Sequence, residues 1–255
     1  MDEVLSSVDA GILQIVINRP EQRNALNSSV LTGLSSAIRE AGENRAVRAV
    51  TLTGAGDRVF CAGADLKSTA AGSEAAFTPS RYRELLLEIL RCPKPTVALA
   101  RGHVMAGGLG LPLCCDLCLA CDDVHFSTPE IQVGMFPMMV FALLYRQAGR
   151  KRATEMLFFG ERISATTAME YGIVNHTYPR DQFDMEAGQY VRKLADKSAG
   201  ILRLGKEAMF HVEGRSLPDE LQYLESELAK VMSTADSKEG IRAFVEKRKP
   251  QWTDE

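Results

Sequence analysis

Residues 97–110 read VALARGHVMAGGLG. Val97–Ala100 is a short apolar run of the kind that forms a buried strand. Gly102 ends it, and Gly107, Gly108 and Gly110 interleave with Leu109, Leu111 and Leu113, where an apolar pattern resumes. A strand that runs through a glycine-dense turn into a helix leaves backbone N–H groups exposed. Glycine lets a ligand approach the main chain closely, and the first turn of a helix carries unpaired donors and a partial positive charge. Such a turn suits a permanent anion, or a transient one such as an enolate oxygen. The same glycines would also serve tight packing of helix on strand, and the turn alone does not decide between the two uses. No Lys-Ser or Lys-Thr pair follows the glycines, and no dinucleotide fingerprint with a downstream acid is present. Both absences speak against a phosphate loop and against a nucleotide-dependent oxidoreductase.

Around this stretch lies a chain of 255 residues, 45% hydrophobic and 25% charged, which is enough for a sizeable core. The net charge of −3 gives no reason to expect nucleic acid or a membrane as a partner. No apolar run reaches membrane-spanning length, and the N-terminus MDEVLSSVDAG does not read as a secretory signal. Four of the six cysteines crowd into CCDLCLAC at 114–121. Cys115, Cys118 and Cys121 have a spacing that suggests metal, but Leu117, Leu119 and Ala120 lie between them in a strand-like alternation. No second Cys/His cluster pairs with them, so no metal site is assigned. Buried free thiols fit better and point to a reducing, cytoplasmic setting.

Taken in order, Val4–Val8 and Ile12–Ile17 read as a hairpin turning at Asp9-Ala10-Gly11. Asn27 or Ser28 caps a helix to about Glu43, and Ala49–Thr53 is a strand, giving β–α–β order and a partly parallel sheet. FCAGADLKS at 60–68 has small residues, so its backbone can also be approached closely, and Asp65-Leu66-Lys67 begins a helix. Residues 68–79, rich in Ala, Gly and Ser, read as a mobile connection. Residues 81–91 form a helix with Leu85, Leu86, Ile89 and Leu90 on one face. The cysteine-rich strand reaches Ala120, helices cover 139–148 and 151–159, Ser164 caps a short helix, and Ile173–His176 is one more strand. From Asp184 the pattern is helical, over 184–196, 199–213, 218–232 and 237–248. The expected division is an α/β body over 1–195 and a helical region over 196–255.

In series, RNAL at 23–26, VTLTGAGDRVFCAGADLK at 50–67, the glycine turn, CDLCLACDDVHFSTPEIQVGMFP at 115–137, GERISATTAMEYGIVN at 160–175 and EGIRAFVEKRKP at 239–250 resemble the enoyl-CoA hydratase/isomerase (crotonase) superfamily. The resemblance covers nearly the whole chain. It implies an α/β fold, a crotonase-like ββα spiral with a C-terminal helical trimerisation region, assembled as a homotrimer or dimer of trimers. It implies an acyl-CoA thioester as substrate, with coenzyme A part of that substrate and no separate cofactor. The amides matching the family's thioester-oxygen site are those of Ala64 and Gly107. Coenzyme A contacts match the loop holding Arg23 and Ala25 and the segment Ala62, Asp65, Leu66 and Lys67, with Arg23 or Lys67 placed to meet a phosphate or simply solvated. Phe244 and Lys247 match a tail region that reaches a neighbouring subunit's ligand. Asp116 matches a structural aspartate.

The carboxylates depart from the pattern. Hydratases of this family use two glutamates, one on the helix after the glycine turn and one at the position of Glu130. Here the first position is Gly110. Another site used by some members falls on Met138. Glu130 is therefore the one acid in a matching catalytic position, with its pKa expected to be raised by Phe136, Met135 and Met138, and Phe136 is also expected among the substrate-binding residues. Hydration draws on two carboxyl groups, whereas moving a double bond needs one group to take and return a proton. Hydratase and isomerase are the two readings; an acyl-CoA-binding relative with little or no turnover is the alternative.

Overall fold

The computed structural model describes residues 2–73 and 76–254. Strands β1 (Val4–Asp9) and β2 (Ile12–Ile17) pair antiparallel. Ala10 and Gly11 turn the hairpin with φ of 46° and 78°, the left-handed pair that a two-residue hairpin turn requires. Leu13, Ile15 and Ile17 alternate into the core. Helix α1 (Ser28–Glu43) starts where the Asn27 side chain accepts from the Val30 amide at 2.8 Å, and it buries Val30, Leu31, Leu34 and Ile38 on one face. Strand β3 (Ala49–Gly54) then pairs parallel to β2.

From β3 the chain winds in three similar turns. The first contains β3, β4 (Val59–Cys61), α2 (Leu66–Ala70) and α3 (Pro79–Arg91). The second contains β5 (Thr96–Ala100), β6 (His103–Met105), a 3-10 turn at Ala106–Leu109 and α4 (Gly110–Cys114). The third contains β7 (Leu117–Cys121), β8 (His125–Ser127), a 3-10 turn at Pro129–Val133, α5 (Met138–Ala148) and α6 (Arg150–Phe159). In every turn the first strand joins one sheet and the second strand another. Strand β9 (Ile163–Ser164), α7 (Ala165–Glu170), β10 (His176–Tyr178) and α8 (Phe183–Ala195) complete the body. The larger sheet has the order β1-β2-β3-β5-β7-β10 and the smaller one β4-β6-β8-β9. Only the outer pairs β1–β2 and β8–β9 are antiparallel. This is the expected ββα spiral, followed by the helices α9 (Ala199–Val212), α10 (Leu217–Ser233) and α11 (Ala235–Glu246).

The helical region is knitted to the body by polar contacts. Asp116 accepts from the Thr96 amide at 2.7 Å and from Lys206 at 2.6 Å, joining the start of β5 to α9. Arg48 pairs with Asp254 at 2.6 Å and donates to the Ala195 carbonyl. Buried Asp236 accepts from Ser198, Thr253 and Asp254, and these bonds outweigh its burial and hold its pKa down. Among the described residues no helix is long and apolar enough to cross a membrane.

Several boundaries differ from the sequence reading. The strand expected at 173–176 begins only at His176, because the amides of Ile173 and Val174 donate back to the Ala168 carbonyl of α7 rather than to a neighbouring strand. Cys114 ends α4 and Cys115 caps it, so the strand-like alternation belongs to Leu117–Cys121 alone. All six thiols are free and buried; burial pushes Cys61 and Cys118 up to about 12 and Cys121 to about 11. Of the connection expected to be mobile at 68–79, residues 68–70 finish α2, while 74 and 75 lie outside the described residues.

Candidate active site

Strands β4, β6 and β8 are neighbours in the smaller sheet and run parallel. The chain leaving their carboxyl ends reaches Ala64, Gly107 and Glu130 within two or three residues. Three successive turns of the spiral thus deliver the three expected catalytic positions to one edge of one sheet, the end where parallel α/β sheets carry ligands.

Ala64 is oriented by the RNAL loop. Leu26 and Ala64 form an isolated parallel bridge. In it the Leu26 amide donates to the Gly63 carbonyl at 2.7 Å, and the Asp65 amide donates to the Leu26 carbonyl at 2.8 Å. The residue opposite Leu26 in such a pairing turns its own N–H to the other side. Gly63 has φ +85°. A Cβ on it would lie 2.7 Å from Ala106 Cβ and 2.9 Å from the Gly107 nitrogen, so only glycine lets the two segments close. The amides of Ala64 and Gly107 have no acceptor among the described residues, and both residues are half-buried rather than sealed.

The glycines of the turn divide by role. A Cβ at Gly102 would run into the Val59 backbone, and one at Gly108 into the Cys61 carbonyl, so these two serve strand packing. A Cβ at Gly107 would meet nothing closer than Gly63 Cα at 3.8 Å and the Ala64 nitrogen at 3.9 Å. Packing does not demand glycine at 107; openness beside a bare amide does. Ala106, just before it, sits at φ +51°, an uncommon left-handed conformation for a residue with a side chain. An unpaired backbone N–H is the kind of donor that stabilises a carbonyl oxygen as negative charge develops.

Glu130 lies in the first turn of the 3-10 segment after β8. Its Oε2 atom is buried with no hydrogen-bond partner among the described residues. Burial raises its pKa, and its own backbone amide only partly offsets that. Met135 and Met138, expected to surround it, are 50% and 67% exposed. Phe136 packs on Phe141 and Phe158 at centroid distances of 6.3 and 6.4 Å.

The position without an acid is filled by another group. A Cβ on Gly110 would overlap the hydroxyl oxygen of Tyr82 and lie 3.1 Å from its ring carbon Cζ. That hydroxyl donates to the Gly107 carbonyl. Tyr82 lies on α3, fully buried, and burial drives its pKa well up, with lesser contributions from Cys114, Cys61 and Glu130. The sequence reading passed over it, although 82, 85, 86 and 89 share one helical face.

The expected substrate-binding residues differ in exposure. Arg23, Leu66 and Lys67 are exposed, Ala62 is half-buried and Ala25 is buried. Asp65 has its carboxylate engaged by Arg19 at 3.0 Å and by the Ser68 amide at 3.2 Å; these bonds outweigh its burial and hold its pKa down. Two residues that sequence reading missed hold the loop. Arg19 also binds the Ala25 carbonyl at 2.7 Å and Glu3 at 2.8 Å. Asn24, buried at φ +54°, donates to the Ala55 and Val59 carbonyls at 3.1 and 2.7 Å. Asn24 stands inside the RNAL motif, which was the available signal.

With this geometry in place, comparison with known proteins is direct. The family described as Enoyl-CoA hydratase/isomerase matches residues 7–255. The mitochondrial enoyl-CoA hydratase domain-containing protein 3 of Rattus norvegicus is 33% identical over 250 residues, 95% of this chain and 82% of that protein. The crystal structure of enoyl-CoA hydratase from Bacillus anthracis superposes with a TM-score of 0.92 at 30% identity, covering 99% of this chain and 100% of the other. The enoyl-CoA hydratase of Mycobacterium smegmatis gives 0.90 at 32% identity, covering 98% of each chain.

Proposed function

The chain belongs to the enoyl-CoA hydratase/isomerase family, and we propose that within it the protein shifts a double bond in an acyl-CoA thioester. The observation that carries this is the single carboxylate. Glu130 is half-buried, its Oε2 atom has no partner among the described residues, and burial raises its pKa; the space that a second acid at position 110 would occupy is taken by Tyr82. In the proposed reaction the thioester carbonyl of a 3-enoyl-CoA accepts hydrogen bonds from the amides of Ala64 and Gly107. Ionised Glu130 removes a proton from C2. The electron pair spreads over a dienolate whose negative oxygen rests on the two N–H groups. Glu130, now protonated, returns the proton to C4, and the double bond becomes conjugated with the thioester. No atom is gained or lost, and no cofactor beyond the substrate's own coenzyme A is required. A raised pKa makes the ionised carboxylate the stronger base. Arg23 and Lys67, both exposed, are the cations offered to the phosphates.

Hydration is the second reading, favoured by the hydratase names of the relatives. Assaying one preparation with 3-hexenoyl-CoA and with crotonyl-CoA, by absorbance of the conjugated thioester, separates the readings. A rise with the first substrate supports isomerisation. A fall with the second alone supports hydration. Binding of both esters without change supports a scaffold. Oligomerisation belongs to the same proposal: Leu217, Leu221, Leu228 and Met232 form an exposed stripe on α10, suited to burial in a homotrimer or dimer of trimers.

A further inference from the structure

We propose that Tyr82 is the positioning residue of this site: its hydroxyl pins the glycine turn that presents the Gly107 amide, and its bulk reserves the place of a second acid, restricting the site to one carboxylate. The inference rests on the reading of the site given above and adds to it a second role for Tyr82, the hydrogen bond onto the glycine turn. Three observations meet on one oxygen atom. The Tyr82 hydroxyl donates to the carbonyl of Gly107, the residue whose nitrogen a Cβ on Gly63 would approach to 2.9 Å. It occupies the point where a side chain at 110 would begin. It is held there from behind, since Tyr82 is fully buried and Phe77 packs on its ring at 5.3 Å between centroids.

The physical consequence follows from what the turn lacks. A glycine-dense 3-10 segment has no side chains of its own to fix its peptide planes, and glycine backbone is the most freely varying in a protein. An oxyanion donor works only when preorganised toward the place where charge develops. A hydrogen bond onto the carbonyl of Gly107 fixes the peptide plane that follows its Cα, and so limits the freedom of the turn whose preceding plane carries the Gly107 N–H. Buried and protonated, the phenol supplies a neutral donor that adds no charge beside the enolate. Glycine at 110 is thus required by Tyr82, and restoring an acid there would mean expelling the tyrosine.

The test compares wild type, Tyr82→Phe, Gly110→Ala and the double variant. Readouts are thermal melting, kcat and KM with 3-hexenoyl-CoA, and the ionisation of bound acetoacetyl-CoA, whose enolate absorbs in the near ultraviolet. Tyr82→Phe keeps the ring. It is expected to melt near wild type, to lose kcat by roughly 10- to 100-fold, and to keep KM within a few-fold. It should also weaken the stabilisation of the bound enolate by about 10-fold, read as a rise of about one unit in its ionisation midpoint. A packing role alone would leave that midpoint unmoved. Gly110→Ala is expected to lower the melting temperature sharply beside Tyr82 and much less in the Tyr82→Phe background, where the nearest ring atom is Cζ at 3.1 Å. A Tyr82→Phe protein with wild-type kcat and midpoint, or a Gly110→Ala effect equal in both backgrounds, would overturn the inference alone. A wild-type protein that leaves acetoacetyl-CoA ionising as it does in water would bring down the functional reading and this inference together.

Discussion

Replacing Glu130 by glutamine separates what the carboxyl does for chemistry from what it does to stability. One of its oxygens is buried without a partner among the described residues, and burial lifts its pKa above the usual value of 4.5. The folded state therefore holds the proton more tightly than the unfolded chain does. The stability tied to the protonated form is complete below the unfolded value and is lost as pH rises through the raised folded one. Once pH has risen past the raised folded value, the wild type carries an ionised group short of hydrogen bonds, a condition worth about 1–3 kcal/mol. The side chain is only partly buried, so the low end, about 1 kcal/mol, is the expected gain from Glu130→Gln at pH 8. For a chain of this length that is roughly 2–4 °C in Tm. The two proteins should be melted at one protein concentration from pH 4 to 8. The Tm difference should be near zero at the acid end and grow with pH, while the variant loses about 10²- to 10⁴-fold in turnover of a 3-enoyl-CoA. A Tm difference independent of pH, or a variant with wild-type turnover, would refute the reasoning.

Other consequences are as specific. Gly107→Ala meets no contact shorter than 3.8 Å, so stability measured by urea unfolding should change by less than about 1 kcal/mol. Its methyl would stand 3.9 Å from the Ala64 nitrogen, and kcat with an enoyl-CoA should fall about 10²-fold. Asn24→Ala removes two donated bonds and the acceptor for the Arg19 amide, all at a buried site; it should cost about 2–4 kcal/mol in urea unfolding and raise KM for an acyl-CoA. Leu221→Glu combined with Leu228→Glu places charges on residues 59% and 57% exposed in the single chain. Sedimentation should then show monomer where the unaltered protein sediments as an oligomer. The native protein should react slowly with a thiol reagent and release all six cysteines only on unfolding, because every one is buried and unbridged.

Much of the body was legible because local signals agree with the tertiary outcome. Gly11 in the hairpin, Asn27 and Ser164 as caps, and the Leu85/Leu86/Ile89 face each act within a few residues, and each lies where the pattern placed it. The smaller sheet was not legible. Strands β4, β6 and β8 have three residues each, too few for alternation to register, and β6 is His103-Val104-Met105 rather than an apolar run. These segments are extended because they pair with one another across more than twenty residues of sequence, and a non-local cause leaves no local trace.

The site inherits both properties. Ala64, Gly107 and Glu130 could be singled out one at a time by small residues, glycine density or a resemblance, since each stands beside its own strand end. Their convergence depends on the smaller sheet, whose strands β4, β6 and β8 bring the three exits together. The relation between Tyr82 and Gly110 is harder still to read. In the sequence, Tyr82 is one more large residue on the buried face of an amphipathic helix, and Gly110 is one more glycine in a rich turn. In the fold the absence of a side chain at one position and the presence of a hydroxyl at the other are a single feature. A missing acid is therefore better understood by asking what occupies its space than by counting the carboxylates that remain.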